Sequence, residues 1–280
     1  MSLKGKSAVI TGSTSGIGHA IAEGFAKHGI NVTLNGFGDA AEIEALRSGM
    51  AEKHKVEVRY SPADMTKPDE IAAMIADAEK DLGAVDILVN NAGTVALGLI
   101  GQFDMAKWQK VIDVNLTGTF LGMQASVEAM KAAGGGSIIN VSSMASFQAA
   151  PFNATYGATK AYVTSFTESL HEELRGTGVR IQALCPGFTR TEFQDRAEFD
   201  ASKVPDRLWQ SADDVAAAGL RGIDQNRAVV VPGGLNKVGA GLLNALPGQA
   251  RRFLVPRVLS FPRICRSSSL PLSPSPHSPC

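Results

Sequence analysis

The sequence predicts an α/β protein, a doubly wound, seven-stranded and mostly parallel sheet forming one domain over residues 1–255. Three observations carry this. Short apolar runs alternate with longer stretches of helical period along most of the chain. The run VDILVNNAG is apolar along its strand portion, the pattern of a strand buried on both faces. Glycines and small polar residues gather just past the ends of the apolar runs, where sheets of this kind bind ligands.

Each element follows in order. SAVIT (7–11) reads as the first strand, and a stripe of Ile17, Ala20, Ile21, Gly24 and Phe25 as the helix after it. Gly29 suits that helix's C-terminal cap. NVTLN (31–35) is the second strand, AEIEALRSGMAEK a charged helix, and VEVRY (56–60) the third strand. Asp69 and Glu70 after Pro68 open the next helix. VDILVNNAG (85–93) is the fourth strand. One long helix is expected from about Asp104 to Ala133, stopped by Gly134, Gly135 and Gly136. SIINVSS (137–143) is the fifth strand, and the helix carrying ATYGATKAY follows to about Arg175. VRIQALCPG (179–187) is the sixth strand. Ser211 is a good N-cap for SADDVAAAGLRGI, and AVVVPGG (228–234) is the seventh strand.

Composition excludes several function classes. Lys plus Arg, 27, equals Asp plus Glu, 27, so a formal net charge of +0 gives no electrostatic case for nucleic acid or an anionic membrane. No apolar run is long enough to span a bilayer, and the N-terminus lacks the apolar core of a signal peptide. The cysteines, Cys185, Cys265 and Cys280, show no metal-ligand spacing, and a reduced cytoplasmic compartment is the economical reading. The Pro-, Ser- and Arg-rich residues 256–280 have no sustained period and read as a disordered tail.

The motifs sit at the strand ends. The first strand runs into Thr11, Gly12, Ser13, Thr14, Ser15, Gly16, Ile17 and Gly18, a glycine turn that aims a helix N-terminus at a ligand site suited to pyrophosphate. The fourth ends in Asn90, Asn91, Ala92 and Gly93, whose amides can tie neighbouring strands and contact a cofactor. Asp64 after the third strand is either a turn-former or an acceptor for adenine's amino group. Ser143 ends the fifth strand, thirteen residues before Tyr156. Asn115 is either a satisfied core amide or the holder of a backbone kink and a water beside Lys160. Tyr156 and Lys160, four apart, share one helix face, where an ammonium could lower a phenol's pKa.

T-G-x-x-x-G-x-G, N-N-A-G, a serine thirteen before Y-x-x-x-K, and P-G after the sixth strand occur in one fixed order over about residues 4–235. Together they resemble the short-chain dehydrogenase/reductase family, whose fold is Rossmann-like. The resemblance implies roles. Tyr156 is the general acid or base, Lys160 its electrostatic tuner and a ribose ligand, Ser143 the carbonyl positioner, and Asn115 the fourth catalytic member. It places Gly12, Thr14, Ser15, Gly16, Ile17, Gly18, Asn35, Gly36, Asp64, Met65, Asn91, Ala92, Gly93, Pro186, Gly187, Thr189 and Thr191 at a dinucleotide. The family commonly forms tetramers through two long helices, here about 104–133 and 155–175. Gly118, Gly122 and Ala125 would permit close packing there.

In this family a basic residue at position 15, or just after the second strand, binds the 2′-phosphate of NADP. Ser15 and LNGFGD offer none, so NAD is favoured over NADP, although Asn35 and Gly36 stand where many NAD-dependent members have Asp. The N-terminal third is similar to bacterial 3-hydroxybutyrate dehydrogenases, which use NAD. Where those enzymes hold a carboxylate with Gln, His, Lys and Trp, this chain has Val95, Met144, Asn153 and Phe188. With Phe147 and Phe152, these imply an apolar pocket for a neutral ketone or alcohol, since an unpaired buried charge costs several kcal/mol. The later half is similar to less specifically assigned members of the family. Oxidation of 3-hydroxybutyrate through relocated contacts stands as the alternative, and a non-catalytic dinucleotide sensor as the alternative outside the enzyme class.

Overall fold

The computed structural model describes residues 4–196 and 204–246. The expected tail at 256–280 lies outside the described residues.

Seven strands form one parallel sheet. They are β1 (Ser7–Ile10), β2 (Asn31–Asn35), β3 (Val58–Ser61), β4 (Ile87–Asn90), β5 (Gly136–Val141), β6 (Val179–Leu184) and β7 (Val229–Val230). Their order is β3-β2-β1-β4-β5-β6-β7. Ile10 on β1 pairs with Leu34 on one side and Val89 on the other. The chain therefore reverses direction across the sheet between β1 and β4. The loops leaving those two strands diverge there, and the divergence opens a crevice at the carboxyl edge.

Helices cover both faces. On one face α1 (Gly16–Lys27), α2 (Ala40–His54) and α8 (Ala212–Asp224) bury Ile21, Phe25, Met50 and Val215 against Ile10, Leu34 and Val89. On the other, α3 (Pro68–Leu82), α5 (Gly118–Ala132) and α6 (Ala154–Glu173) bury Ile71, Met74, Ile75, Met130 and Leu174 against Val9, Leu88 and Ile138. Two-sided burial accounts for the unbroken apolar strands. Ser211 caps α8 as expected, accepting from the Asp214 amide at 3.0 Å.

Three features differ from the sequence expectation. The long helix is broken. α4 (Met105–Ile112) passes into a π-helical segment, Asp113–Thr117, before α5 begins. The break centres on Asn115, whose amide is drawn to the backbone of Thr94. Gly118 then lies so close to the Met65 carbonyl that a Cβ would stand 2.6 Å from it. Second, every strand but β2 is shorter than its expected run, and β7 pairs only at Val229 and Val230. Third, after the short α7 (Phe193–Arg196) and α8, the chain forms a further helix, α9 (Gly234–Ala245), which the sequence reading left unassigned.

Candidate active site

The glycine turn closes the first strand–helix junction. Gly12 adopts φ +62°, the left-handed region, and a Cβ there would stand 2.9 Å from Ala92 Cα. A Cβ on Gly18 would come within van der Waals overlap of the Gly12 carbonyl oxygen. Glycine at both positions lets α1 start hard against the end of β1, with its free N–H groups at the crevice. The same turn is bolted to the loop after β4. Thr11 Oγ1 accepts from the Asn91 amide N–H at 3.0 Å and from Ala92 at 2.9 Å. Asn91 Nδ2 donates to the carbonyls of Thr11 (2.9 Å) and Gly12 (2.8 Å). Asn90 Nδ2 donates to Asn140 Oδ1 at 2.8 Å, tying β4 to β5.

Asn35 works in the same way. Its Oδ1 accepts from the Gly12 amide at 3.1 Å, and its Nδ2 donates to the carbonyls of Ser61 and Ala63. The amide thus links three strand ends, and it is buried. Past it, the Gly36 carbonyl accepts from Tyr60 Oη at 2.8 Å. Asp39 spends its carboxylate on the N-cap of α2. Asp64 accepts from Thr66 N at 2.9 Å, a local turn contact that helps hold its carboxyl below its ordinary value.

The first turns of α6 carry Tyr156 and Lys160. Lys160 Nζ lies 5.7 Å from the Tyr156 ring centroid and donates to the Val141 carbonyl at 2.8 Å. Ser143 caps a short 3₁₀ turn, Met144–Phe147, its Oγ accepting from Ala145 N at 3.1 Å. It lines the same cavity wall as the Tyr156 phenol. Asn115 is fully buried. Its Oδ1 accepts from Thr94 N at 2.8 Å, and its Nδ2 donates to Thr94 O (2.9 Å) and Thr159 Oγ1 (3.2 Å). Thr159 passes the contact on to the Tyr156 carbonyl at 2.8 Å. Asn115 is therefore both a satisfied core amide and the centre of a helix break. Asn115 Oδ1 and Lys160 Nζ each lie 3.6 Å from where a Cβ on Gly93 would stand, so the loop after β4, the π segment and α6 converge.

The protonation state of the pair corrects one expectation. Burial pushes the Tyr156 phenol above its ordinary value, with Ser143 partly opposing, and burial pushes the Lys160 ammonium down to about 8. The ammonium sits over the ring, and the net displacement of the phenol is nevertheless upward because burial dominates. Each group is displaced toward its neutral form, as desolvation requires.

A cavity of about 740 Å³ unites most of the expected residues. Gly12, Ser15, Gly16, Ile17, Asn91, Ala92 and Gly93 line it from the β1 and β4 loops. Ser143, Met144, Asn153, Tyr156 and Lys160 line it from the β5–α6 region, and Pro186, Gly187, Phe188, Thr189 and Thr191 from the loop after β6. Val95 belongs to it too. Thr14, Gly18, Asn35, Gly36, Asp64, Met65 and Asn115 lie outside its lining, and so do Phe147 and Phe152. The sequence reading missed Leu97, Gln148, Phe193, Leu208 and the α9 leucines Leu235, Leu242 and Leu243. The α9 leucines carried a signal, an apolar recurrence at 235, 238–239, 242–243 and 246. Among the described residues no His, Cys, Asp or Glu cluster could hold a metal ion.

Comparison with known proteins agrees with this geometry. A family model for the short chain dehydrogenases matches residues 6–201. A D-beta-hydroxybutyrate dehydrogenase of Rhizobium meliloti is 40% identical over 202 residues, covering 72% of this chain and 76% of that protein. A D-beta-hydroxybutyrate dehydrogenase of Cupriavidus necator is 40% identical over 204 residues, 72% of this chain and 78% of its own length. Likeness to these enzymes thus extends well past the N-terminal third. A solved short-chain dehydrogenase from Sphingobium yanoikuyae, in complex with NADPH, superposes with a TM-score of 0.74 at 28% identity. It covers 95% of this chain and 98% of that one. By fold, motif order and relatives, the chain belongs to the short-chain dehydrogenase family of oxidoreductases.

Proposed function

We propose that this protein is an NAD-dependent oxidoreductase acting between secondary alcohols and ketones, with Tyr156 as general acid and base. The observation that carries this is the convergence of Ser143, Tyr156 and Lys160 on one wall of the crevice, with Lys160 one helical turn past Tyr156 and its Nζ 5.7 Å from the ring centroid. The site fits a dinucleotide. The cradle at Gly12, Gly16 and Gly18 is one that Cβ atoms would obstruct, and α1 opens on it with free N–H groups. A bound nicotinamide would supply or accept the hydride. Ser143 positions the substrate oxygen, and Tyr156 Oη gives it a proton in reduction and takes one in oxidation. Lys160 stabilises the phenolate and is placed to reach the ribose. Asn115 holds the π break and, through Thr159, the turn that bears Tyr156.

NAD rather than NADP follows from the region past β2. Gly36, Phe37 and Gly38 offer no cation to a 2′-phosphate, and Ser15 is neutral. The substrate is neutral on this reading. Among the described residues, Lys160 and Glu192 are the charged side chains of the lining, and Lys160 already donates to Val141. A substrate carboxylate would find no cation beyond Lys160 among the described residues of the lining. This argues against 3-hydroxybutyrate, the substrate that the names of the relatives favour.

The assembly belongs to the same reading. The expected small residues face inward: a Cβ on Gly122 would stand 2.6 Å from Asn90 Oδ1. The outer faces of α5 and α6 instead present Phe120 and the stacked pair Tyr162–Phe166, and this supports docking of a second copy there within a homotetramer. The buried, unpaired thiol of Cys185 suits a reducing cytoplasm. The test is a panel of secondary alcohols and 3-hydroxybutyrate, each with NAD and NADP, followed at the nicotinamide absorbance. Turnover of neutral alcohols with NAD supports the reading; failure with every alcohol refutes it.

A further inference from the structure

The cavity does not stop at the catalytic serine. Gly239 brings α9 beside Met144, the residue after Ser143: a Cβ there would stand 4.0 Å from Met144 Cε. From that contact α9 carries Leu235, Leu242 and Leu243 into the lining. Leu235 and Leu242 nevertheless remain 61% and 59% exposed, and Val238 between them is 62% exposed. Positions 235, 238 and 242 share one helix face. Leu235 and Leu242 therefore join the cavity wall to an apolar stripe that Val238, outside the lining, extends into solvent. Large aliphatic side chains grouped at a cavity mouth mark a surface that something apolar covers. Continuity with the cavity identifies the cover as the ligand itself.

We propose that the substrate is a neutral secondary alcohol or ketone carrying a long or bulky hydrocarbon group, laid along α9 over Leu235, Val238 and Leu242. The proposal rests on the oxidoreductase reading above and names the substrate class for it. Small alcohols would reach Ser143 and Tyr156 yet leave the stripe wet. Each further methylene that leaves water for the stripe contributes about 0.8 kcal/mol, or roughly fourfold in kcat/KM.

The test is a series of 2-alkanols from about four to about ten carbons, oxidised by the full chain with NAD, beside Leu242→Ser and Leu235→Ser. Both positions are largely exposed, so the variants should fold, and thermal melting checks this. The expected result is kcat/KM rising severalfold per methylene in the wild type, with a clearly shallower slope in both variants. Turnover of short alcohols with a flat series overturns this proposal alone. Absence of turnover with every alcohol overturns the reading of the site and the proposal with it. A steep series that neither variant changes places the hydrocarbon elsewhere and also overturns it. A flat series with loss of self-association in the variants gives the stripe to a second copy of the chain.

Discussion

Replacing Lys160 with Met deletes a buried ammonium while keeping most of its stem. Lys160 is 4% exposed, and its pKa falls from an ordinary 10.5 to about 8. The sign of the linkage follows. A lysine easier to deprotonate when folded binds fewer protons in the native state than in the unfolded chain. Its penalty on stability is full below pH 8, shrinks as pH rises, and is gone above about 10.5. Between pH 7 and pH 10 this group alone should raise the free energy of unfolding by about 2–3 kcal/mol, at about 1.4 kcal/mol per pKa unit. Lys160→Met should lack that rise. The lost bond to the Val141 carbonyl offsets part of the gain at neutral pH, so the informative quantity is the pH slope rather than the absolute stability. Urea unfolding of both proteins at pH 7 and pH 10 measures it, because the groups that do not interact with Lys160 cancel in the double difference. Parallel pH dependence in the two proteins would refute a buried, strained ammonium. On the proposed mechanism so costly a group is kept because its charge is needed when Tyr156 is ionised.

Two further predictions follow from the cofactor crevice and the outer helices. Ser15→Arg should shift the ratio of kcat/KM toward NADP by at least tenfold, because a guanidinium at that position offers a 2′-phosphate the cation it lacks; an unchanged ratio would remove Ser15 from the cofactor's surroundings. Phe120→Asp with Tyr162→Asp should convert a tetramer to smaller species in light scattering at micromolar concentration, and a wild-type monomer, or a double variant that stays tetrameric, would dismiss the α5–α6 docking face.

Much of the site was legible because its demands are local. Gly12 and Gly18 are where backbone atoms approach too closely for any side chain, and Tyr156 and Lys160 are one helical turn apart in any helix. What stayed hidden depends on tertiary contact. The π segment at Asp113–Thr117 arises from the pull of Asn115 on a loop twenty-one residues away in sequence. Asn35 could face a ribose or its neighbouring strands, and only the positions of Ser61 and Ala63 decide which. Gly118 and Gly122 are small because Met65 and Asn90 crowd them within the same chain. α9 escaped notice because Gly233, Gly234, Gly239 and Gly241 resemble helix breakers. Gly239 instead lies within the helix, on the side next to Met144 in the cavity wall. The Tyr156–Lys160 spacing predicted contact correctly and electrostatics incompletely, since burial opposes both charges.

The central claim is that Tyr156 exchanges the proton with the substrate oxygen. Tyr156→Phe removes one oxygen and leaves the ring against Phe193, 6.1 Å away between centroids, so fold and cofactor affinity should persist. Its kcat with the best alcohol, measured beside NAD affinity by fluorescence titration, tests the claim most directly. A fall of at least about 100-fold in kcat with unchanged affinity is the predicted result. A near-wild-type kcat would contradict it.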